Sequence, residues 1–306
     1  MCRLAGTDVF VHWSWFIAAY FLIQNRVIPY SSLAWDVVEY VAGFGIVLLH
    51  EFGHVLACRQ VGGAADRVVL WPLGGLAFVA PPPRPGATFW TTLAGPLMNL
   101  ALLPFLMVVS RLTDVPTGNE VLADVHQLLR ALVWFNGFML VFNLLPIFPL
   151  DGGRLLYAVL WKMLGRVAGL AVASVIGAVA GAGLGILALS AQEWWLAVLA
   201  GFLVLGGIAG VSHARLLARL RHAERHADRV CPNCGTAPPV GAFWRCLHCQ
   251  TWFDLFSDAQ HCPRGGLHVS EMSCLECGRE LSSADWLPLL SSPPTIPVAP
   301  WNAPPS

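Results

Sequence analysis

Charged residues are scarce in this sequence. Only 12% of its 306 residues are Asp, Glu, Lys or Arg, about half the fraction usual in soluble globular domains, so an ordinary soluble enzyme is not expected. No sign of charge dominates, because 18 basic residues balance 18 acidic ones, and nothing indicates a nucleic-acid partner. No small-residue cleavage site follows the first apolar segment, so we predict no signal peptide and expect the first helix to remain in the mature protein.

Apolar residues dominate instead. They make up 56% of the chain, with a mean hydropathy of +0.63, which is typical of a polytopic membrane protein. The sequence predicts a mainly α-helical fold with about six transmembrane helices. The apolar runs long enough to cross a bilayer lie at about 9–28, 37–58, 89–110, 127–149, 167–190 and 194–212. The fifth run is rich in Ala and Gly and is expected to pack closely against its neighbours.

Basic residues are distributed unevenly between the two sides of the predicted membrane domain. If the N-terminus is cytoplasmic, the opposite side receives only Arg26, Arg111 and Arg130. The other side receives all remaining basic residues of residues 1–229. The positive-inside rule and the even number of predicted spans therefore place both termini in the cytoplasm.

The second predicted span contains the sequence His50-Glu51-Phe52-Gly53-His54. On a helix, His50 and His54 share one face and can ligate a single zinc ion, while Glu51 can reach a zinc-activated water and act as a general base and acid. The same five-residue pattern occurs by chance on solvated helices. Three ionisable side chains in an apolar span are costly to bury, however, so the setting favours a metal site with peptide hydrolysis chemistry.

A catalytic zinc ion usually has three protein ligands and an open fourth position. Glu193 and Asp151 are the carboxylates considered for the third ligand. The predicted topology puts Glu193 on the side opposite His54 and Asp151 on the same side, so Asp151 is the better candidate. Prolines and glycines surround Asp151, which predicts irregular backbone next to it, although a plain helix-ending turn would have a similar composition.

The membrane part resembles the site-2 proteases, which are intramembrane zinc metalloproteases. Five motifs in the same order carry the resemblance: Val11-His12-Trp13-Ser14-Trp15, His50 to His54, Pro72 to Ala77, Ala94 to Asn99, and Asn143 to Arg154. The resemblance implies that His50, His54 and Asp151 bind zinc and that Glu51 is catalytic. It also implies that Asn143 holds the substrate or the developing oxyanion.

The resemblance further implies that the segment around Gly74-Gly75 is a strand-like loop that pairs with an unwound substrate. An ordinary glycine-rich turn is the alternative. Asn99 is ambiguous, because a lone polar residue in a span is as often a contact between helices as a catalytic group.

A polar appendage follows the membrane part, which we assign to residues 1–212. Residues 213–229 alternate leucine and arginine at helical spacing and predict a helical connector that contacts membrane lipids. Residues 230–290 are expected to form a small, β-rich, cysteine-rich zinc-ribbon domain. The proline-rich residues 291–306 are expected to be disordered.

Seven of the nine cysteines lie in the appendage. Their CxxC spacing is typical of zinc sites, and the cytoplasm keeps thiols reduced, so zinc binding is favoured over disulfides. The first predicted structural site consists of Cys231, Cys234, Cys246 and Cys249. The second consists of Cys262, His268, Cys274 and Cys277, with His261 as an alternative ligand. The expected cofactors are one catalytic and one or two structural zinc ions.

The sequence therefore predicts an intramembrane zinc endopeptidase that hydrolyses peptide bonds in transmembrane segments of other membrane proteins. The alternative is a catalytically inactive membrane scaffold with metal-binding modules. Residues 231–285 carry three arginines against six acidic residues, so no basic surface for nucleic acid is predicted there.

Overall fold

The computed structural model describes residues 2–24, 30–71, 74–114, 119–246, 248–257, 261–264, 266, 269, 271–277, 279–282 and 285–288. The chain divides into two compact units, Met1–Ala218 and Arg219–Ser306. The first is mainly helical and is called the membrane unit below. The second is built from short strands and is called the C-terminal unit.

The membrane unit contains seven helices in its described part. They are α1 Ser14–Gln24, α2 Leu33–Gln60, α3 Pro85–Leu112, α4 Glu120–Leu144, α5 Asp151–Leu164, α6 Arg166–Ser190 and α7 Trp194–His222, the last of which extends into the C-terminal unit. Five of them, α2, α3, α4, α6 and α7, are long and apolar enough to cross a membrane. The expectation of a mainly α-helical polytopic membrane protein is thus confirmed.

A four-stranded sheet accompanies the helices. It consists of β1 Cys2–Leu4, β2 Thr7–Val11, β3 Ala64–Trp71 and β4 Gly74–Ala80, in that spatial order. β2 runs parallel to β3, and β3 pairs antiparallel with β4. β4 therefore lies at one edge of the sheet.

The predicted first span, residues 9–28, is not a single membrane helix. Residues 9–11 belong to β2, whose apolar side chains pair with β3, and α1 as described has 11 residues. Residues 25–29 lie outside the described residues. The described part thus contains five candidate spans instead of the predicted six.

β2 and the first residue of α2 lie near opposite ends of α2. β3 follows the C-terminal end of α2 closely, and β2 pairs with β3. Leu33 begins α2, about 40 Å away along the helix axis. The orientation of the two termini relative to the membrane stays a prediction.

The fourth predicted span, residues 127–149, corresponds to α4, which begins earlier and ends earlier. The Asn119 side chain caps α4 by accepting hydrogen bonds from the backbone N–H groups of Val121 and Leu122. After α4 the chain turns and enters α5, a 14-residue helix that the sequence analysis did not separate from its surroundings. Gly165, with φ of 86°, then allows the sharp change of direction into α6.

Small residues let α6 approach its neighbours closely, as the Ala and Gly content indicated. A Cβ atom at Gly177 would lie 2.1 Å from the carbonyl oxygen of Phe148, and one at Gly169 would lie 2.7 Å from the backbone nitrogen of Trp161. Neither glycine could carry a side chain without moving backbone. α6 therefore braces both the α4–α5 turn and α5.

The described residues of the C-terminal unit form three two-stranded antiparallel pairs. They are β5 Arg229–Val230 with β10 Leu287–Pro288, β6 Trp244–Arg245 with β7 Trp252–Phe253, and β8 Glu271–Ser273 with β9 Glu280–Ser282. Its core combines cysteines with a few large apolar side chains, of which Leu255 is fully buried. So small a core is consistent with folding that depends on metal.

One buried carboxylate organises the loop before β6. Asp254 accepts hydrogen bonds from the backbone N–H groups of Gly241, Phe256 and Ser257 and lies 3.1 Å from His226 Nε2. Burial alone would raise the pKa of Asp254, but the backbone donors outweigh it and lower that pKa. The carboxylate form therefore stabilises the folded unit, and this contribution is lost as the pH falls through the depressed pKa.

We expect Asp254→Ala to destabilise the C-terminal unit by about 1–3 kcal/mol, because backbone donors would be left without an acceptor. Limited proteolysis of the full chain at neutral pH should then cut the C-terminal unit faster while the membrane unit stays intact. Asp228→Ala is the matched control, since Asp228 is exposed and bonds only to its neighbour Arg229. Equal cleavage of the two variants would contradict the role given to Asp254.

Candidate active site and cysteine clusters

Three side chains from two helices converge in the membrane unit. His50 and His54 lie one turn apart on α2, and Asp151 is the first residue of α5. The Nε2 atoms of the histidines are 3.2 Å apart, and Asp151 Oδ2 lies 3.1 Å from that of His50 and 3.3 Å from that of His54. All three residues are buried, with 3–7% exposure. The structure thus brings together the residues predicted as ligands.

The spacing of these atoms fits one zinc ion. Bonds of 2.0–2.2 Å from zinc to nitrogen or oxygen in a tetrahedral arrangement put the ligand atoms about 3.3–3.6 Å from one another, close to the 3.1–3.3 Å found here. Asp151 Oδ2 is buried yet has no hydrogen-bond partner, which would be costly without a cation. Two histidines and one carboxylate are a zinc-binding set that leaves a fourth position open.

The outer ring nitrogens of both histidines are also held. His54 Nδ1 donates to the carbonyl oxygen of Thr91 at 2.8 Å, and His50 Nδ1 lies 2.5 Å from Asn99 Oδ1. Because these acceptors fix the proton on Nδ1, Nε2 of each ring is left with its lone pair free for a metal. Both partners come from α3, so α3 orients the two rings.

Asn99 belongs to a buried chain of amides. Its Nδ2 donates to Asn136 Oδ1 at 2.7 Å, and Asn136 Nδ2 donates back to the carbonyl oxygen of Asn99 at 2.9 Å. Asn136 is fully buried on α4. The sequence analysis left Asn99 undecided and missed Asn136. A second asparagine in the following span was the available signal for this pair.

Glu51 lies beside the edge strand. Its Oε2 accepts a hydrogen bond from the backbone N–H of Ala77 at 3.0 Å. A Cβ atom at Gly75 would lie 2.2–2.3 Å from the Glu51 carboxyl group and its Cγ. Only glycine therefore lets β4 pass this close to Glu51. The predicted strand-like segment around Gly74-Gly75 is a strand in the structure.

The α4–α5 turn presents Asp151. A Cβ atom at Gly152 would lie 2.2 Å from the carbonyl oxygen of Leu145, and one at Gly153 would lie 2.2 Å from the backbone nitrogen of Phe148. The two glycines therefore let the turn fold tightly onto the start of α5. Such a turn explains the run of prolines and glycines that the sequence analysis noted.

Two other predicted candidates lie elsewhere. Glu193, the alternative third ligand, is exposed just before α7 and is not part of the cluster. Asn143 is half-buried in the last turn of α4. Within the described part of the chain, no hydrogen bond joins Asn143 to His50 or Glu51.

The cysteines of the C-terminal unit form two clusters, and the structure corrects the predicted pairing. The first cluster joins the two outermost CxxC pairs and consists of Cys231, Cys234, Cys274 and Cys277. The second consists of Cys246, Cys249 and Cys262. The predicted grouping of Cys231 and Cys234 with Cys246 and Cys249 is therefore wrong. β5 lies near the start of the unit and β10 near its end. Their antiparallel pairing accompanies the close approach of the first and last CxxC pairs.

The first cluster has the dimensions of a zinc site. Sγ of Cys231 lies 3.8 Å from that of Cys277, and Sγ of Cys234 lies 3.8 Å from that of Cys274. Zinc–sulfur bonds of about 2.3 Å in a tetrahedron separate the sulfurs by about 3.8 Å, whereas a disulfide would bring them to about 2 Å. The spacing therefore fits zinc.

The second cluster offers three thiols among the described residues. Hydrogen bonding to Thr251 lowers the pKa of Cys249 to about 6, which favours the thiolate, the form that binds zinc. His268, predicted as a ligand, lies outside the described residues. His261, the alternative, is described but does not share either cluster.

Gly95 on α3 leaves the room that the histidine rings need. A Cβ atom there would lie 2.3 Å from His54 Nε2 and 2.8 Å from His50 Nε2. We expect Gly95→Ala to lose one zinc ion per chain, measured by elemental mass spectrometry. Gly86→Ala on the same helix is the control, because its Cβ would meet no atom within 4 Å. Equal zinc content in both variants would refute the ligand assignment.

Known proteins match the membrane unit. The profile of peptidase family M50 matches residues 107–187. The zinc metalloprotease of Methanocaldococcus jannaschii is 31% identical over 57% of this chain and 49% of its own length. Stage IV sporulation protein FB of Bacillus subtilis is 34% identical over 39% of each chain. This chain therefore spans about half the length, or less, of these curated relatives.

A solved structure agrees with these matches. The site-2 protease from Methanocaldococcus jannaschii aligns with a TM-score of 0.52 at 27% identity, covering 69% of this chain and 94% of that one. The alignment indicates a shared fold over that part of the chain. The membrane unit is therefore similar to zinc metalloproteases of the site-2 protease type, and residues 107–187 match peptidase family M50.

Proposed function

We propose that this protein is an intramembrane zinc endopeptidase that hydrolyses peptide bonds in transmembrane segments of other membrane proteins. The observation that carries the proposal is the meeting of His50, His54 and Asp151 at zinc-ligand spacing. Glu51, adjacent in sequence to His50, supplies the carboxylate that such hydrolysis requires. An inactive scaffold would not require both the three zinc ligands and the carboxylate of Glu51.

Each residue has a separate task in this proposal. His50, His54 and Asp151 hold the catalytic zinc ion, which when bound supplies a Lewis acid and lowers the pKa of water. Glu51 takes the proton of the attacking water and later delivers it to the leaving amine. The hydrogen bond from the backbone N–H of Ala77 holds the Glu51 side chain in place for both transfers.

The edge strand supports a mode of substrate binding. Among the described strands only β3 pairs with β4, so no described strand occupies the other edge of β4. The N–H of Ala77 is already bonded to Glu51. A helical substrate hides its scissile carbonyl in its own hydrogen bonds, whereas an unwound segment could pair with β4. Gly75 lies against the Glu51 carboxyl group, so a strand added there would run past the site. Asn143 is the proposed group that holds the substrate or the oxyanion.

We also propose that both termini are cytoplasmic and that cleavage occurs near the cytoplasmic face. The uneven distribution of arginine supports this orientation. The predicted helical connector 213–229 is helical only to His222, because α7 ends there and Arg229 belongs to β5. The arginines in the last turns of α7, Arg215, Arg219 and Arg221, would contact membrane lipids from that side.

The cysteine clusters are proposed as two structural zinc sites, which gives three zinc ions per chain with the catalytic one. The first cluster has four ligands, and a closed four-ligand site leaves no position for chemistry. The role of both sites would be to fold the C-terminal unit. That unit would then recruit or gate substrates.

Two substitutions separate the proposed roles in the active site. Glu51→Gln should reduce cleavage of a transmembrane substrate by about 10²–10⁴-fold, the usual contribution of a general acid–base, with zinc retained. Asp151→Ala should lower both the zinc content and the activity, because a ligand is lost. The comparison uses purified full-length protein, with cleavage followed on gels and zinc by elemental analysis. Full zinc and full activity in Asp151→Ala would mean that the third ligand is another residue.

A double substitution tests the proposed role of the C-terminal unit. Cys231→Ser with Cys234→Ser removes half the ligands of the first cluster, so one zinc ion should be lost while the membrane unit keeps its own. Cleavage of a short generic transmembrane substrate should continue, whereas cleavage of the physiological substrate should fall. Equal rates on both substrates in this variant would rule out recruitment.

A further inference from the structure

A groove between α3 and α4 carries two arginines that have no part in the proposed active site. It has a volume of about 150 Å³ and is lined by Met107, Ser110, Arg111, Arg130, Val133 and Trp134. Arg111 is the second-last residue of α3 and lies 20 residues beyond Thr91, the residue that holds His54. That separation is about 30 Å along the helix, the thickness of the hydrocarbon layer. The groove therefore lies at the membrane face opposite the histidines.

Contacts between α3 and α4 show the depth at which the groove lies along the two helices. His126 Nδ1 on α4 lies 3.1 Å from the carbonyl oxygen of Ser110 and 3.2 Å from Thr113 Oγ1, at the end of α3. Arg130 follows His126 by one turn, about 6 Å deeper. An arginine at that depth directs its guanidinium towards the polar surface, where it meets the level of Arg111.

The two positive charges lack acidic partners in the described part of the chain. The neighbouring acids are engaged elsewhere, because Asp114 lies 3.7 Å from His126 and Asp124 bonds to Ser31. No described salt bridge includes Arg111 or Arg130. Unpaired cations within spans are costly and mark binding functions. An anion with several acceptor oxygens would compensate both guanidinium groups.

The surroundings of the arginines are apolar and outward-facing. Trp134 is 74% exposed and Met107 is 41% exposed on the sides of the groove. On membrane-spanning helices such exposed side chains face lipid, and tryptophan is typical of the interfacial zone. A ligand for this groove therefore combines an anionic headgroup with acyl chains.

We propose that this groove binds the phosphate of an anionic phospholipid between Arg111 and Arg130, with the acyl chains against Trp134 and Met107. The site would anchor the ends of α3 and α4 at the face opposite the active site. Phospholipid is favoured over free phosphate because the groove opens onto lipid-facing apolar side chains.

The test measures lipid binding by the full-length protein in a non-ionic detergent, using native mass spectrometry. The probes are short-chain phosphatidylglycerol, short-chain phosphatidylcholine and inorganic phosphate. The variants are Arg111→Gln, Arg130→Gln and the double variant, with Arg84→Gln as the matched control, because Arg84 is an exposed arginine at the other end of α3. Zinc content equal to that of the control shows that a variant is folded.

We expect phosphatidylglycerol to bind the wild type and Arg84→Gln alike, and to bind about fivefold more weakly for each groove arginine removed. Phosphatidylcholine should bind more weakly than phosphatidylglycerol. Unchanged phosphatidylglycerol binding in a folded double variant would overturn the proposal. So would displacement of phosphatidylglycerol by inorganic phosphate at equal concentration, which would identify the ligand as a free anion. Arg111→Gln provides the answer if Arg130→Gln fails to fold.

Discussion

Three polar atoms held within 3.3 Å of one another in a buried site are the constraint on which the membrane unit depends. Two ring nitrogens and a carboxylate oxygen at that spacing need a cation among them, because a buried acceptor without a partner is destabilising. The surrounding helices can be understood as the means of holding this arrangement. α2 supplies two ligands from successive turns, and α5 begins at the third.

The close approach of α3 to α2 follows from the same constraint. A Cβ atom at Gly53 would lie 2.6 Å from the carbonyl oxygen of Ala94, so the helices meet backbone to backbone beside the ligands. That contact lets Thr91 and Asn99 reach the outer ring nitrogens. Asn136 extends the network to α4. These hydrogen bonds fix the orientation of both histidine rings.

The sequence was sufficient to pair residues that helical spacing brings together. It was insufficient to pair residues that only the folded chain brings together. His50 and His54 are paired by helical spacing alone, and Asp151 could be chosen because carboxylates in apolar spans are rare. The cysteine pairing was wrong because CxxC pairs look equivalent in sequence, and only the folded chain joins Cys231 to Cys277. The predicted first span began too early, because residues 9–11 belong to β2 and a short apolar run satisfies a strand and a helix equally well. The Asn99–Asn136 bond depends on helix packing that no sequence period encodes.

The most direct test of this account is anomalous diffraction at the zinc absorption edge from crystals of the full-length protein. The account predicts an anomalous peak about 2.1 Å from His50 Nε2, His54 Nε2 and Asp151 Oδ2, separate from any peaks at the cysteine clusters. Anomalous peaks at the cysteine clusters alone, in protein that still cleaves a transmembrane substrate, would contradict the central claim that these three residues hold the catalytic metal.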